Sequence, residues 1–300
     1  MNNTPATEER VWAVLAHLSA ITLGMGILMP VVGWSEQRRK SKYASFQCLQ
    51  ALGYQSLGYT VWILLVLVIM VFVSLFAVAG IVNAQNLANQ VTGVLIAHTA
   101  ILAGLIGVYF GLPIIAAIAC AYGKEFRYPF MGKRLVRYMG YDVNDEWLIE
   151  DHEDRWVVAM GHFSIIISLW GMLVPFAAWI LQGKRSLFMK FQSIQTLAYQ
   201  AGVTILFFGA GFIYLFGFFG FIALAGFGEN ILTFNSSQGM IGLIILFGSL
   251  LIAIVIILIL PLFHIMGQWA GYRVLKGDDY HYSIVGKIVE KRLAKTQSAS

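Results

Sequence analysis

The sequence predicts an all-α integral membrane protein built from two tandem repeats. Each repeat is read as a short broken helical hairpin, two transmembrane helices and a basic interfacial helix. Three observations carry this prediction. Of the 300 residues, 59% are apolar and only 12% charged, against about 25% charged in soluble domains. Several apolar runs reach the roughly 20 residues that a bilayer crossing needs. Residues 10–55 recur as residues 155–200 without a gap, and sixteen of these 46 positions are identical. Identity at that level over one fixed offset marks an internal repeat. It divides the chain into a first repeat (1–140), an acidic linker (141–154), a second repeat (155–295) and a short tail (296–300) expected to be disordered.

The first ten residues are polar and the apolar run after them lacks a small-residue cleavage site, so no secretory signal is expected. Residues 11–34 are apolar but carry Gly24, Gly26 and Pro30, which weaken a helix. The copy breaks at Gly171 and Pro175. One crossing helix or two short arms both fit this pattern. A basic loop follows, with Arg38, Arg39 and Lys40, matched by Lys184 and Arg185, and these residues are expected to face lipid headgroups. Next come a half-polar helical segment, a strong apolar span, a short loop free of Lys and Arg, and a second strong span. The Leu-Pro pairs at 112–113 and 260–261 are expected to kink the second spans. Each repeat closes with a tyrosine-containing segment and a short amphipathic helix. These helices carry Lys133, Arg134 and Arg137, and Lys287, Lys291 and Arg292, and are expected to lie on anionic lipid.

Charge placement selects between the two topologies. The loops 83–92 and 226–238 hold no Lys or Arg. If the first stretch of each repeat is a hairpin, every basic residue can lie on one side, as the positive-inside rule asks. The expectation is therefore four full crossings, two hairpins and both termini in the cytoplasm. The net charge of +5 then reports membrane orientation and anionic headgroups, not nucleic acid. Cys48 and Cys120 have no metal or redox spacing and are expected to be buried free thiols.

Two sets of polar residues recur in both repeats. His17 and His162 stand two residues before Ser19 and Ser164. Paired imidazoles could ligate a metal or haem or relay protons, but the favoured reading is that each bonds a freed carbonyl or a nearby glutamine. Gln47, Gln50 and Tyr54 share one helix face, flanked by Gln55; Gln192, Gln195, Tyr199 and Gln200 repeat them. Such a stripe can glue helices together, or line a hydrated path or partner groove. His98 and His264 are read as interhelix hydrogen-bonders. The long spans contain no Asp, Glu, Lys or Arg, which argues against an ion-coupled transporter. No catalytic motif is present, no enzyme activity and no cofactor is expected, and the acidic residues of 141–154 are read as a solvated linker. Residues 235–237 match a glycosylation acceptor.

Glu9-Arg10, Trp12, the run Leu15-Ala16-His17-Leu18-Ser19, Pro30, Trp34, Lys40-Ser41, Phe46-Gln47 and Phe126-Arg127-Tyr128-Pro129 together resemble the small bacterial membrane proteins of the Tic-twenty-like family. That family is named for a subunit of the plastid inner-envelope translocon. The resemblance implies a helical membrane domain with short first helices in a bacterial cytoplasmic (inner) membrane, and no catalytic residue. The expected function is a non-enzymatic accessory, scaffold or translocon-like subunit that packs against protein partners in the membrane. A channel or transporter lined by the Gln/Tyr stripes and a His-ligated redox subunit are the alternatives.

Overall fold

The computed structural model of the chain describes residues 4–82, 87–142, 146–225 and 237–298. Among the described residues every regular element is helical. The first repeat contains α1 (Thr7–Leu18), a 3-10 stretch (Ser19–Ile27), α2 (Leu28–Gln37), α3 (Lys42–Gly53), a π turn (Tyr54–Gly58), α4 (Tyr59–Val82), α5 (Leu87–Ala121) and α6 (Met131–Met139). The second contains α7 (Glu150–Phe163), a 3-10 stretch (Ser164–Met172), α8 (Leu173–Gln182), α9 (Leu187–Ala225), α10 (Ser237–Leu275) and α11 (Val285–Ser298). The repeated serines at 41 and 186 cap α3 and α9: Ser41 Oγ accepts from the Ala44 amide at 3.0 Å and Ser186 Oγ from the Met189 amide at 3.2 Å.

Six helical stretches are long and apolar enough to cross a membrane. Two of them, Thr7–Gln37 and Glu150–Gln182, fold back on themselves. A methyl group placed on Gly33 would lie 3.2 Å from the Trp12 ring. In a straight helix those residues would stand about 30 Å apart. In the copy, a methyl group placed on Gly161 would lie 3.7 Å from Pro175. The turn is made at matching positions. Leu23 (φ 54°, ψ −140°) and Ser168 (φ 53°, ψ −127°) adopt the conformation of the first central residue of a type II′ turn, which glycine favours. Three residues on, Gly26 and Gly171 leave no room for a side chain: an added Cβ would sit 1.7 Å from the Ser19 carbonyl oxygen and 2.0 Å from that of Ser164. The two hairpin tips also meet, since a Cβ on Gly24 would lie 2.6 Å from Ile167. The glycine repeated at each tip is thus a steric requirement of the fold-back.

The hairpins pack on α3 and the first half of α9 to form one body whose main core draws on both repeats, while a smaller cluster of Ile165, Tyr199, Val203, Leu260 and Tyr282 belongs to the second repeat. Trp34, Phe46, Leu49 and Leu52 of the first repeat are buried with Trp156, Val157, Met160, Val174 and Val274 of the second. The repeats are units of sequence, while the hydrophobic core is shared between them. The Trp156 indole donates across the boundary to the Leu49 carbonyl at 2.9 Å.

From this body two helix pairs project, α4 with α5 and α9 with α10. Their surfaces are apolar and exposed, as at Val61, Phe72, Phe76 and Ile96, and at Ile205, Phe216, Ile244 and Leu258. Such a surface is stable only in lipid. α9 has 39 residues, about 58 Å at 1.5 Å per residue, nearly twice the roughly 30 Å hydrocarbon thickness. Its first half belongs to the body and its second half to the membrane.

Several expectations change. The helices run unbroken through Pro113 and Pro261. Tyr54 Oη donates to the Tyr109 carbonyl and Tyr199 Oη to that of Phe263. The place of Tyr109 is therefore taken by Phe263, so Pro113 and Pro261 are not equivalent in space. The acidic segment is not a solvated linker throughout, because Glu150 begins α7 and Glu153 and Asp154 are buried. The expected disordered tail is helical as far as Ser298. Residues 143–145 of the linker, most of the 226–238 loop with the glycosylation match at 235–236, and residues 83–86 lie outside the described residues.

Candidate functional site

Each repeat holds its histidine in the same buried node. His17 lies on the last turn of α1, where the fold-back of the hairpin turns it onto α3. Its Nε2 is 3.0 Å from Gln47 Oε1, and its Nδ1 is 3.0 Å from Tyr128 Oη. The Gln47 amide is oriented by its own donation to the Phe126 carbonyl at 3.2 Å, so Oε1 faces the ring. An amide oxygen can only accept. Nε2 therefore carries the proton, and Nδ1 of the neutral ring accepts from the tyrosine hydroxyl. Burial pushes the Tyr128 phenol well above its ordinary range, which keeps it a donor. Gln50 completes the node: Nε2 donates to the Phe126 carbonyl at 2.8 Å and Oε1 accepts the Tyr128 amide at 3.2 Å. The Tyr128 ring stacks on Tyr54 with centroids 4.4 Å apart.

The second repeat rebuilds this node with different neighbours. His162 Nδ1 is 3.0 Å from Tyr282 Oη, and Nε2 is 3.4 Å from Gln192 Oε1. Gln192 and Gln195 donate to the Tyr280 carbonyl at 3.0 and 2.6 Å. Tyr282 stacks on Tyr199 at 3.9 Å, and burial raises its phenol as it does that of Tyr128. Gln55 and Gln200 serve the hairpin turns by donating to the carbonyls of Ala16 at 3.1 Å and Gly161 at 2.6 Å. One difference stands out: Thr196 Oγ1 lies 3.2 Å from both ring nitrogens of His162, where the first repeat has Ala51.

These contacts bear on the readings of the stripes and the histidines. The amides of Gln47, Gln50, Gln192 and Gln195 are fully buried and turned into their own repeat. They fasten the closing segment to the stripe helix and line no groove between repeats. Both nitrogens of each histidine are already engaged, which leaves no lone pair for haem or metal. Among the described residues no group of three or more His, Cys, Asp and Glu could hold a metal ion. His98 does bridge helices, with Nε2 3.2 Å from Ser74 Oγ. His264 does not, since its Nδ1 donates to the Leu260 carbonyl of its own helix at 2.9 Å. Cys48 and Cys120 are buried free thiols.

A second polar site lies where the hairpins meet. Arg38, expected to face lipid, is buried instead. Its Nη1 contacts Asp154 Oδ1 at 2.5 Å, its Nε lies 3.3 Å from Glu153 Oε2, and its guanidinium covers the Trp34 ring at 4.7 Å. Trp34 Nε1 donates to the other Glu153 oxygen at 3.1 Å. Arg185 joins from the second repeat, 2.8 Å from Asp154 Oδ1, and both Arg39 and Arg185 pair with Glu150. The cationic loop of one hairpin is thus neutralised by the acidic start of the next. Sequence reading missed this cluster, although opposite charges on segments flanking an apolar body were a visible signal.

Lys40, Lys184, Lys133, Arg134, Arg137, Lys287, Lys291 and Arg292 are exposed. On α6 the bases stand opposite buried Leu135, Val136 and Met139. The segment before α6 runs along α3, from Tyr43, whose hydroxyl donates to the Lys124 carbonyl, to Tyr54 at the threshold of α4. It ends on Phe130, which is 94% exposed with φ 62°. Ile284 occupies the same place before α11 and is 75% exposed.

The fold and its two nodes define a multispanning, all-helical membrane protein with a duplicated His–Gln–Tyr lock. Residues 8–136, the span of the first repeat and under half of the chain, match the model of the magnetosome magnetite crystal formation protein family. This match overturns the resemblance to the Tic-twenty-like family, whose motifs are short and rest on the His-Leu-Ser, Pro and Tyr-Pro elements. No curated protein and no solved structure matches the chain.

Proposed function

We propose that the protein is a non-enzymatic accessory of a bacterial membrane that encloses or templates a growing magnetite crystal, where it acts by packing against lipid and other membrane proteins. One observation carries the reading. The repeated histidines, the glutamines at 47, 50, 192 and 195 and the tyrosines at 128 and 282, which would be the candidates for chemistry or transport, are engaged by hydrogen bonds inside each repeat. Apolar helix pairs and basic interfacial helices remain for contact with other molecules. The family match over the first repeat supports the setting.

The charge pattern supports both the orientation and an indirect role. With the termini in the cytoplasm, the far side of the membrane carries the loops 83–92 and 226–238, which hold a single charged residue, Glu229. Iron ions are bound by clustered carboxylates or imidazoles, and these loops offer no such cluster. The protein therefore shapes the compartment or its other proteins rather than presenting a mineral-binding surface. On the near side, Phe130 and Ile284 emerge where the apolar faces of α4 and α9 begin, below the bases of α6 and α11. An apolar tip under a basic turn suits the boundary between acyl chains and anionic headgroups.

Deletion of the gene in its own host tests the reading. Electron microscopy should show membrane compartments still formed but crystals altered in size or number. A host without magnetite, or crystals unchanged by the deletion, would overturn it.

A further inference from the structure

The two folded-back hairpins have apolar exteriors. On α1, Val11, Leu15 and Leu18 are exposed at the i, i+4, i+7 spacing that puts them on one face. Between Val11 and Leu28 the one exposed polar residue is Thr22, and its hydroxyl donates to the Ser19 carbonyl at 2.8 Å. In the second hairpin every exposed residue from 164 to 181 is apolar, with Leu169 at the turn and Phe176 and Ile180 on α8. The open ends are polar instead. Gln37 donates to Glu8 at 3.2 Å across the first, and Arg185 meets Asp154 at 2.8 Å across the second. An apolar shaft with a polar mouth suits acyl chains below headgroups, not water.

Length sets how far the shafts reach. From Val11 to Leu23 the rise is about 20 Å, at 1.5 Å per residue in α1 and 2.0 Å in the 3-10 stretch. From Leu181 back to Leu169 it is again about 20 Å. Both fall short of the roughly 30 Å hydrocarbon core. The first shaft runs beside a helix that is long enough to cross. Arg10 Nη1 donates to the Ala121 carbonyl at the end of α5 at 3.3 Å, so the hairpin mouth is level with that end. The exposed Ile115 and Ile118 of α5 continue the same apolar surface. The arms α1, α2, α7 and α8 are thus added to one leaflet alone. A helix about 10 Å across covers about 80 Å², so that leaflet takes in about 300 Å² of protein with no counterpart opposite.

We infer that the paired hairpins are a one-sided wedge: they lie among the acyl chains of the leaflet next to the termini, and the protein prefers and stabilises bilayer that is convex on that side. Widening one leaflet against the other is relieved by bending. The arms act as one insertion, because the tips meet: a methyl group on Gly24 would overlap both Ile167 and Trp170 of the other hairpin. The wedge requires no role in crystal formation.

Curvature sorting of the full chain, reconstituted in giant phosphatidylcholine–phosphatidylglycerol vesicles, tests this. An impermeant dye that reacts with a C-terminal tag from outside marks only molecules with their termini outward. In outward tubes of about 20 nm radius these should be enriched about threefold over the parent vesicle, a bias of the order of RT. Molecules marked by dye sealed inside should be depleted. Met25→Asp with Leu169→Asp puts a charge on each exposed tip and should bring the enrichment down to parity. Nitroxides on Leu15→Cys and Met25→Cys keep the wedge testable if that variant does not fold; Cys48 and Cys120 are buried. Both labels should be reached by oxygen and not by a water-soluble nickel chelate, with the Met25 site about 10 Å deeper. Equal density in tube and vesicle, the same sorting in both orientations, or sorting unchanged in the folded aspartate variant would overturn the wedge. So would chelate access to either nitroxide, or spin coupling between copies, which would mean that a second chain covers the hairpins.

Discussion

Replacing Tyr128 with phenylalanine isolates the energy of the buried lock. The ring and its stack on Tyr54 are kept, and only the hydroxyl that serves His17 Nδ1 is lost. That nitrogen is fully buried, and no other side chain is within reach of it in the first repeat. An unsatisfied buried acceptor costs about 1–3 kcal/mol. In the second repeat Tyr282→Phe removes the same hydroxyl, but Thr196 Oγ1, which donates to the Gln192 carbonyl at 2.6 Å, lies 3.2 Å from His162 Nδ1 and can turn its proton from that carbonyl to the ring. Its cost should be smaller, by about 1 kcal/mol, the net worth of one such bond. Reversible unfolding in mixed SDS micelles, followed by tryptophan fluorescence, measures both. In a His17→Leu background the Tyr128→Phe cost should nearly vanish, because no acceptor is left stranded; the coupling energy of that cycle should be about 1–2 kcal/mol. A cost for Tyr128→Phe below about 0.5 kcal/mol, or a larger cost for Tyr282→Phe than for Tyr128→Phe, would refute the hydrogen-bond assignment.

Ser168→Gly should stabilise the protein by about 1 kcal/mol in the same assay, because glycine adopts the positive φ of that turn without strain; a loss of stability would contradict the turn geometry. Gly26→Ala and Gly171→Ala should prevent recovery of folded protein, judged by monodisperse elution in detergent, since their methyl groups would overlap a carbonyl oxygen. Asp154→Ala removes one of the carboxylates that hold Arg38, leaving Glu153 and Glu150 beside it, and should cost about 1–3 kcal/mol, whereas Glu36→Ala, which breaks the exposed pair with Lys40, should cost no more than about 0.5 kcal/mol. Maleimide should fail to label Cys48 in the folded protein and label it on denaturation; rapid labelling would place that thiol outside the core.

The hairpins were legible because their cause is local. Glycine and proline recur at the same offsets, and the fold-back follows from them. The stripe helices were legible for the same reason, as were the partners of the histidines in part, since a glutamine at hand is a local property. The tyrosine that completes each lock lies 111 residues from His17 and 120 from His162, and alignment of the closing segments brought it out only as a repeated residue. The ion cluster is of another kind. Arg38 and Asp154 belong to different repeats, and a rule that treats each charge by its own neighbourhood sends both to solvent. The six-residue displacement between Pro113 and the site opposite Pro261 escaped notice because identical dipeptides need not occupy equivalent turns.

The shared core also constrains the order of events during synthesis. When residue 140 leaves the ribosome, α4 and α5 can enter the bilayer, but the faces of α2 and α3 that receive Trp156, Met160 and Val174 are still bare. Arg38 has no carboxylate to meet until residues 150–154 are made. The body can close only after the second hairpin emerges, and α10 must return before Val274 seals it. Insertion of the first helix pair therefore precedes, and is uncoupled from, consolidation of the domain it belongs to. A nascent chain halted between the repeats would be a membrane-anchored, half-covered core, a natural client for chaperones.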